Sequence, residues 1–214
     1  MKKIYCAGPL FNPTERADMQ AIAESLESAG YEVFLPHRDG IELSKMNSML
    51  MASGYSSDKA NSLLTKAIFY IDTYQIDDSD GLVLNMNGRV PDEGAMVETG
   101  IAWAFEKPIV IYKNDSRSLL SGIDNPLVIG LSNFNLIDNI QKIPIKFNQL
   151  FSNGFSSDIN SFTSRVNAYI TRGKKLFEIY ADSDGADIAF DELIDLLDGK
   201  KKYGVWCRRR GLNP

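Results

Sequence analysis

Two carboxylates, Asp92 and Glu98, stand six residues apart in the run 85–100, NMNGRVPDEGAMVETG. The run reads as a loop that opens a helix over residues 93–105. Glu98 falls in the first turns of that helix, where the backbone dipole favours a negative charge. Its neighbours Ala95, Val97, Ala102 and Trp103 are small or apolar, so its carboxylate should sit in a partly dry pocket. A dry carboxylate without a partner is costly, which calls for a nearby hydrogen-bond donor, and Tyr5 is the candidate. From spacing alone, a surface capping carboxylate is the competing reading of Glu98.

A third carboxylate, Asp72, enters by geometry. Stepping back along a helix from Asp80 to Asp72 climbs ~12 Å, and a strand over residues 82–86 climbs ~16 Å. Asp72 therefore returns to the carboxyl edge of the sheet, near Glu98, whereas Asp77, Asp78 and Asp80 stay at the opposite edge as turn and capping residues. An exposed helix carboxylate is the alternative for Asp72. Three carboxylates and a tyrosine around one apolar cleft suit glycosyl chemistry, with one carboxylate attacking an anomeric carbon and another protonating the leaving group.

Other chemistries find little support. With one histidine, His37, and two cysteines, Cys6 and Cys207, among 214 residues, a Ser-His or Cys-His pair is hard to build, and no metal-ligand or disulfide spacing exists. The turn at Gly8-Pro9 is neither a dinucleotide fingerprint nor a Walker loop, so no cofactor is expected. A net charge of −5 gives no reason to expect a nucleic-acid polymer. No apolar run reaches membrane-span length, and the first residues lack a signal-peptide pattern, so a reduced, cytoplasmic setting is expected. The basic clusters 200–202 and 208–210 read as a solvated tail or as an anion or partner patch.

These residues need a scaffold. Short apolar strands are expected at residues 3–7, 31–35, 81–86, 109–112 and 134–137. Helices are expected over residues 14–29, 62–75 and 93–105, and a short helix within the polar, Met-rich stretch 39–57. Strand–helix alternation predicts an α/β fold: a flavodoxin-like (Rossmann-like), doubly wound, parallel five-stranded sheet. Its ligands bind beyond the carboxyl ends of the strands, in the loops 8–16, 36–40, 85–94 and 113–130. The domain organisation expected is an α/β domain over 1–150 and a helical extension over 151–214, with helices near 158–171 and 186–197, packed on the same domain or on a neighbouring subunit.

The chain also resembles the nucleoside 2-deoxyribosyltransferase family. The residues that carry the resemblance are Ile4-Tyr5-Cys6-Ala7-Gly8-Pro9-Leu10-Phe11-Asn12, Asp72 with Asp80 eight later, Pro91-Asp92-Glu93-Gly94-Ala95-Met96-Val97-Glu98-Thr99-Gly100, Lys107-Pro108 and, more weakly, Asp124-Asn125-Pro126-Leu127. It covers about residues 3–137. The resemblance implies that Glu98 is the nucleophile at C1′, that Tyr5 positions and tunes it, that Asp72 donates a proton to the leaving base, and that Asp92 binds the hydroxyl end of the sugar. It places Gly8 and Phe11 at the substrate, and Asn125 with Leu127 in a neighbouring subunit's site. It implies deoxynucleosides and free nucleobases as partners, and a dimer-based homo-oligomer, with a hexamer as one size it admits. Relatives that cleave nucleoside 5′-monophosphates place serines at the positions of Asp92 and Asn125; carboxylate repulsion at Asp92 therefore favours free nucleosides. The expected activity is deoxyribosyl transfer by double displacement, with N-glycoside hydrolysis (of deoxynucleosides or their monophosphates) or a non-catalytic nucleotide-binding module as alternatives. The Met-rich stretch (Met46, Met49, Met51) is either base-pocket lining or core and lid packing, and His37 either reads the base or sits in a turn with an ion pair.

Overall fold

The computed structural model describes residues 1–40, 43–88, 92–115 and 124–153, all of which belong to one compact unit, Met1–Phe155. The helices and basic clusters expected beyond residue 153 lie outside the described residues.

The chain runs β1 (Lys3–Ala7), α1 (Pro13–Ser28), β2 (Glu32–Phe34), α2 (Pro36–Asp39), α3 (Leu43–Ala52), α4 (Ser57–Asp78), β3 (Gly81–Asn85), α5 (Glu93–Ala104), β4 (Ile109–Tyr112), α6 (Pro126–Gly130), β5 (Leu136–Ile137) and α7 (Lys142–Ser152). The five strands form one sheet in the order β2-β1-β3-β4-β5, and every pairing is parallel. This is the flavodoxin-like doubly wound order, and the crossovers part between β1 and β3.

Strand residues alternate between two buried layers. Ile4, Cys6, Val33, Val83, Val110 and Tyr112 pack with α1 and α7 through Met19, Ile22, Leu26, Ile143 and Phe147. Tyr5, Ala7, Phe34, Leu82, Leu84, Ile109 and Ile111 pack on the other face with Ile76 of α4 and Ala95 and Ala102 of α5. Both faces are covered, which is why the strand interiors are apolar, with polar residues such as Lys3, Glu32 and Asn85 confined to strand ends. Tyr5, an odd position of β1, thus lies on the α4–α5 side. Asn12 caps α1 in a reciprocal box with Glu15, and Gly30, with φ +86°, follows its end as the expected left-handed stop.

Several helices differ from expectation. Helices α2 and α6 lie within stretches, 36–40 and 113–130, that read as loops. Helix α4 begins at Ser57, where the Ser56 side chain accepts from the Lys59 amide; a serine-rich stretch that reads as loop is its cap and first turn. Helix α7 was not expected. Pro144 reads as a breaker, yet it stands in the first turn, where its missing N–H costs little. No helix among the described residues is long and apolar enough to cross a membrane.

Candidate active site

The site is built on the carboxyl ends of β1 and β3. Tyr5 is fully buried, its ring stacked on Phe34 at 5.5 Å between centroids. Its hydroxyl donates to Glu98 Oε1 at 2.8 Å. Glu98 reaches it from the second turn of α5, whose N-cap is Asp92: the Asp92 carboxylate accepts from the Ala95 amide at 2.6 Å. Glu98, Asp92 and Asp72, the last from α4, line one cavity of about 530 Å³, a volume that accommodates a small-molecule ligand. Its apolar wall comes from Leu10, Phe11, Ile68 and Ile71, and Gly8, Pro36, His37, Gly40, Glu93 and Gly94 complete the lining.

The loop after β1 contributes Gly8, Leu10 and Phe11 to the lining and is held by local hydrogen bonds. The Phe11 amide donates to Glu15 Oε2 at 2.8 Å, and Arg16 Nη1 donates to the Leu10 carbonyl at 2.9 Å. Phe11 remains 80% exposed, so it is a wall open to solvent on one side. Gly8 admits no side chain: a Cβ there would lie 2.5 Å from Met19 Sδ and 2.9 Å from Asn85 Cβ.

Burial sets the electrostatics. It pushes the Glu98 carboxyl up to about 7; the nearby charges of Asp72 and Asp92 push the same way, and the Tyr5 hydrogen bond opposes them. Burial, then Glu98 and Asp72, hold the Tyr5 hydroxyl well above its usual range, so it stays a donor. Burial also raises Asp72. His37 is lowered, first by burial and then by Arg16 and Arg38, which favours the neutral imidazole. A carboxylate held by a phenol, beside a second carboxyl that keeps its proton more readily than usual, is an arrangement able to supply a nucleophile and an acid.

The structure therefore brings together Tyr5, Gly8, Phe11, Asp72, Asp92 and Glu98. Asp80 and Asp78 stay at the opposite edge, paired with Lys2 at 2.7 Å and Lys3 at 2.6 Å. Asn125 and Leu127 do not line this chain's own cavity. Asn125 caps α6, accepting from the Leu127 amide at 3.0 Å, and Leu127 is 83% exposed. His37 lines the cavity, and the ion pair in its turn is made by Arg38 with Asp39 and Glu27. Met51 is exposed and is not part of the lining; the side chains of Met46 and Met49 lie outside the described residues. Sequence reasoning missed Ile68 and Ile71. Ile68, Ile71 and Asp72 follow i, i+3, i+4 on one face of α4, and that spacing was the available signal. Among the described residues, no group of three or more His, Cys, Asp or Glu side chains is placed to hold a metal ion.

Comparison with known proteins decides the family. The model of the nucleoside 2-deoxyribosyltransferase family matches residues 4–168, most of the chain. The chain belongs to that family. No curated protein sequence matches it. Among solved structures, this deoxyribosyltransferase-family chain is similar to a conserved protein from Enterococcus faecalis V583, at 24% identity and a TM-score of 0.55, over 70% of this chain and 98% of that one. It is also similar to the 2-deoxyribosyltransferase of Bacillus psychrosaccharolyticus, at 17% identity and a TM-score of 0.50, over 66% of this chain and 90% of that one. At these identities the two structures speak for the fold alone. Membership in the nucleoside 2-deoxyribosyltransferase family supports a glycosyl-transferring or glycosidic enzyme that acts on nucleosides.

Proposed function

We propose that the chain transfers the 2-deoxyribosyl group between nucleobases of free 2′-deoxynucleosides. The observation that carries this reading is the Tyr5–Glu98 hydrogen bond in a cavity shared with Asp72 and Asp92. A Glu98 oxygen attacks C1′ as the C1′–N bond breaks. The bonding pair leaves with the base, which takes a proton from Asp72, and a covalent deoxyribosyl-Glu98 ester remains. A nitrogen of the second base then attacks C1′, the ester bond breaks, and the incoming base's proton returns to Asp72. Asp92, in the lining of the same cavity, holds the hydroxyl end of the sugar. Asn125 and Leu127, which do not line this chain's own cavity, serve the site of a neighbouring copy in a homo-oligomer.

Two substrate preferences follow. A 2′-hydroxyl withdraws electrons from the oxocarbenium-like transition state, so deoxynucleosides turn over faster than ribonucleosides. The Asp92 carboxylate repels a 5′-phosphate, so free nucleosides are preferred to nucleotides. The test is incubation with deoxyinosine plus free adenine, followed by chromatography, alongside inosine and deoxyinosine 5′-monophosphate. Deoxyadenosine is the expected product, with at least ~10³-fold less in Glu98→Ala, the scale lost with an essential group. Release of hypoxanthine and free deoxyribose without deoxyadenosine would make the enzyme a hydrolase. Nucleoside binding with no turnover in the wild type would make it a binding module.

A further inference from the structure

At the carboxyl end of β4, outside the cavity lining, lies a polar network that the proposed reaction does not use. The Lys113 side chain is 9% exposed, and its ammonium contacts Asp124 at 2.7 Å and Asp115 at 3.6 Å, carboxylates whose own side chains are 14% and 17% exposed. Asp115 Oδ2 accepts from the Gly88 amide at 2.9 Å. A second link runs beside it: the Asn114 amide donates to Asn87 Oδ1 at 2.7 Å, and the Asn87 amide donates to Asn85 Oδ1 at 3.1 Å. The segment after β3 and the segment before α6 are thereby tied to the same three residues, 113–115.

The two tied segments are the ones that deliver functional groups. Gly88 lies four residues before Asp92, in the connection from β3 to α5. Asp124 immediately precedes Asn125, the cap of α6. A largely buried ammonium is tolerated only when paired, and this one bridges Asp115 and Asp124. Removing it takes away a contact that joins the segments carrying those two carboxylates. We propose that Lys113 is a positioning residue: through Asp115 and Asp124 it locks the approach to Asp92 and the head of α6 to the end of β4. Its effect on substrate rests on the deoxyribosyl-transfer reading; its effect on the two segments does not.

Two backbone amides report the lock without reference to activity: Gly88, held by Asp115, and Leu127, held by Asn125. Residue-resolved hydrogen exchange is measured on the full chain as wild type, Lys113→Met, Lys113→Arg and Asp124→Asn, together with kcat and KM for deoxyinosine. In Lys113→Met, exchange at both amides rises at least tenfold while the β1 and β4 amides keep their protection. KM rises about tenfold, kcat stays within about threefold, and Lys113→Arg recovers most of both losses. Asp124→Asn loosens Leu127 and spares Gly88, which keeps the proposal testable if Lys113→Met fails to fold. Unchanged exchange at both amides in Lys113→Met, or equal loosening of both in Asp124→Asn, overturns it. If the wild type performs no base exchange, the functional reading fails, and the amide measurements still decide the role of Lys113.

Discussion

Glu98 and Tyr5 share one short contact, and it acts on the acidity of Glu98 against the effect of burial. Burial raises the carboxyl to about 7, and the phenol's hydrogen bond to the charged form lowers it. In the proposed mechanism the attacking species is the carboxylate, so kcat/KM should rise with pH through about 7. Replacing Tyr5 with Phe removes a donor that favours the charged form, so the acid limb should move to higher pH, read from pH–rate profiles of the two enzymes. An unmoved limb, or one displaced downward, would show that the phenol does not tune Glu98. At this scale the sequence was only partly legible. Spacing left Glu98 open as a capping residue, whereas the cap is Asp92. What turns Glu98 inward is Tyr5 lying on the α4–α5 face of β1, a consequence of strand alternation that a single-residue reading does not carry.

The elements were more legible than the site because the strands of a doubly covered sheet are apolar on both faces, a pattern few other structures share. Strands β1 and β4 match expectation residue for residue, and β2, β3 and β5 match in place with shorter ends. Helix α7 was hidden by Pro144, and the start of α4 by its serines, because breakers and caps look alike without knowledge of the turn they occupy. The missed helix matters to stability. Phe147 is fully buried, packs against Tyr31 and Phe151, and touches the space beside Gly81, where a Cβ would lie 2.9 Å from its ring. Phe147→Ala should therefore cost about 3–5 kcal/mol, measured as a lower denaturant midpoint at unchanged m-value. A loss below about 1 kcal/mol would mean that α7 is peripheral to the core.

For the whole molecule, the carboxyls of the candidate site carry a stability cost that depends on pH. An unfolded Glu98 ionises near 4.5 and the folded one near 7, so between these values the folded state binds more protons and stability falls as pH rises. Asp72, also raised, adds in the same direction. Glu98→Gln lacks this slope, so its Tm advantage over the wild type should grow from pH 5 to pH 8 in scans at matched ionic strength. A constant difference across that range would exclude the linkage. Such a gain accompanied by lost activity is the usual exchange at a functional site. The strand order has a further consequence for synthesis in the cell. Strand β1 is an interior strand, hydrogen-bonded on both edges, to β2 and to β3, yet it leaves the ribosome before either neighbour. Until residue 85 of β3 has emerged, a nascent chain carries an apolar strand with an open edge, which exposes it to aggregation and to capture by chaperones during this interval of translation.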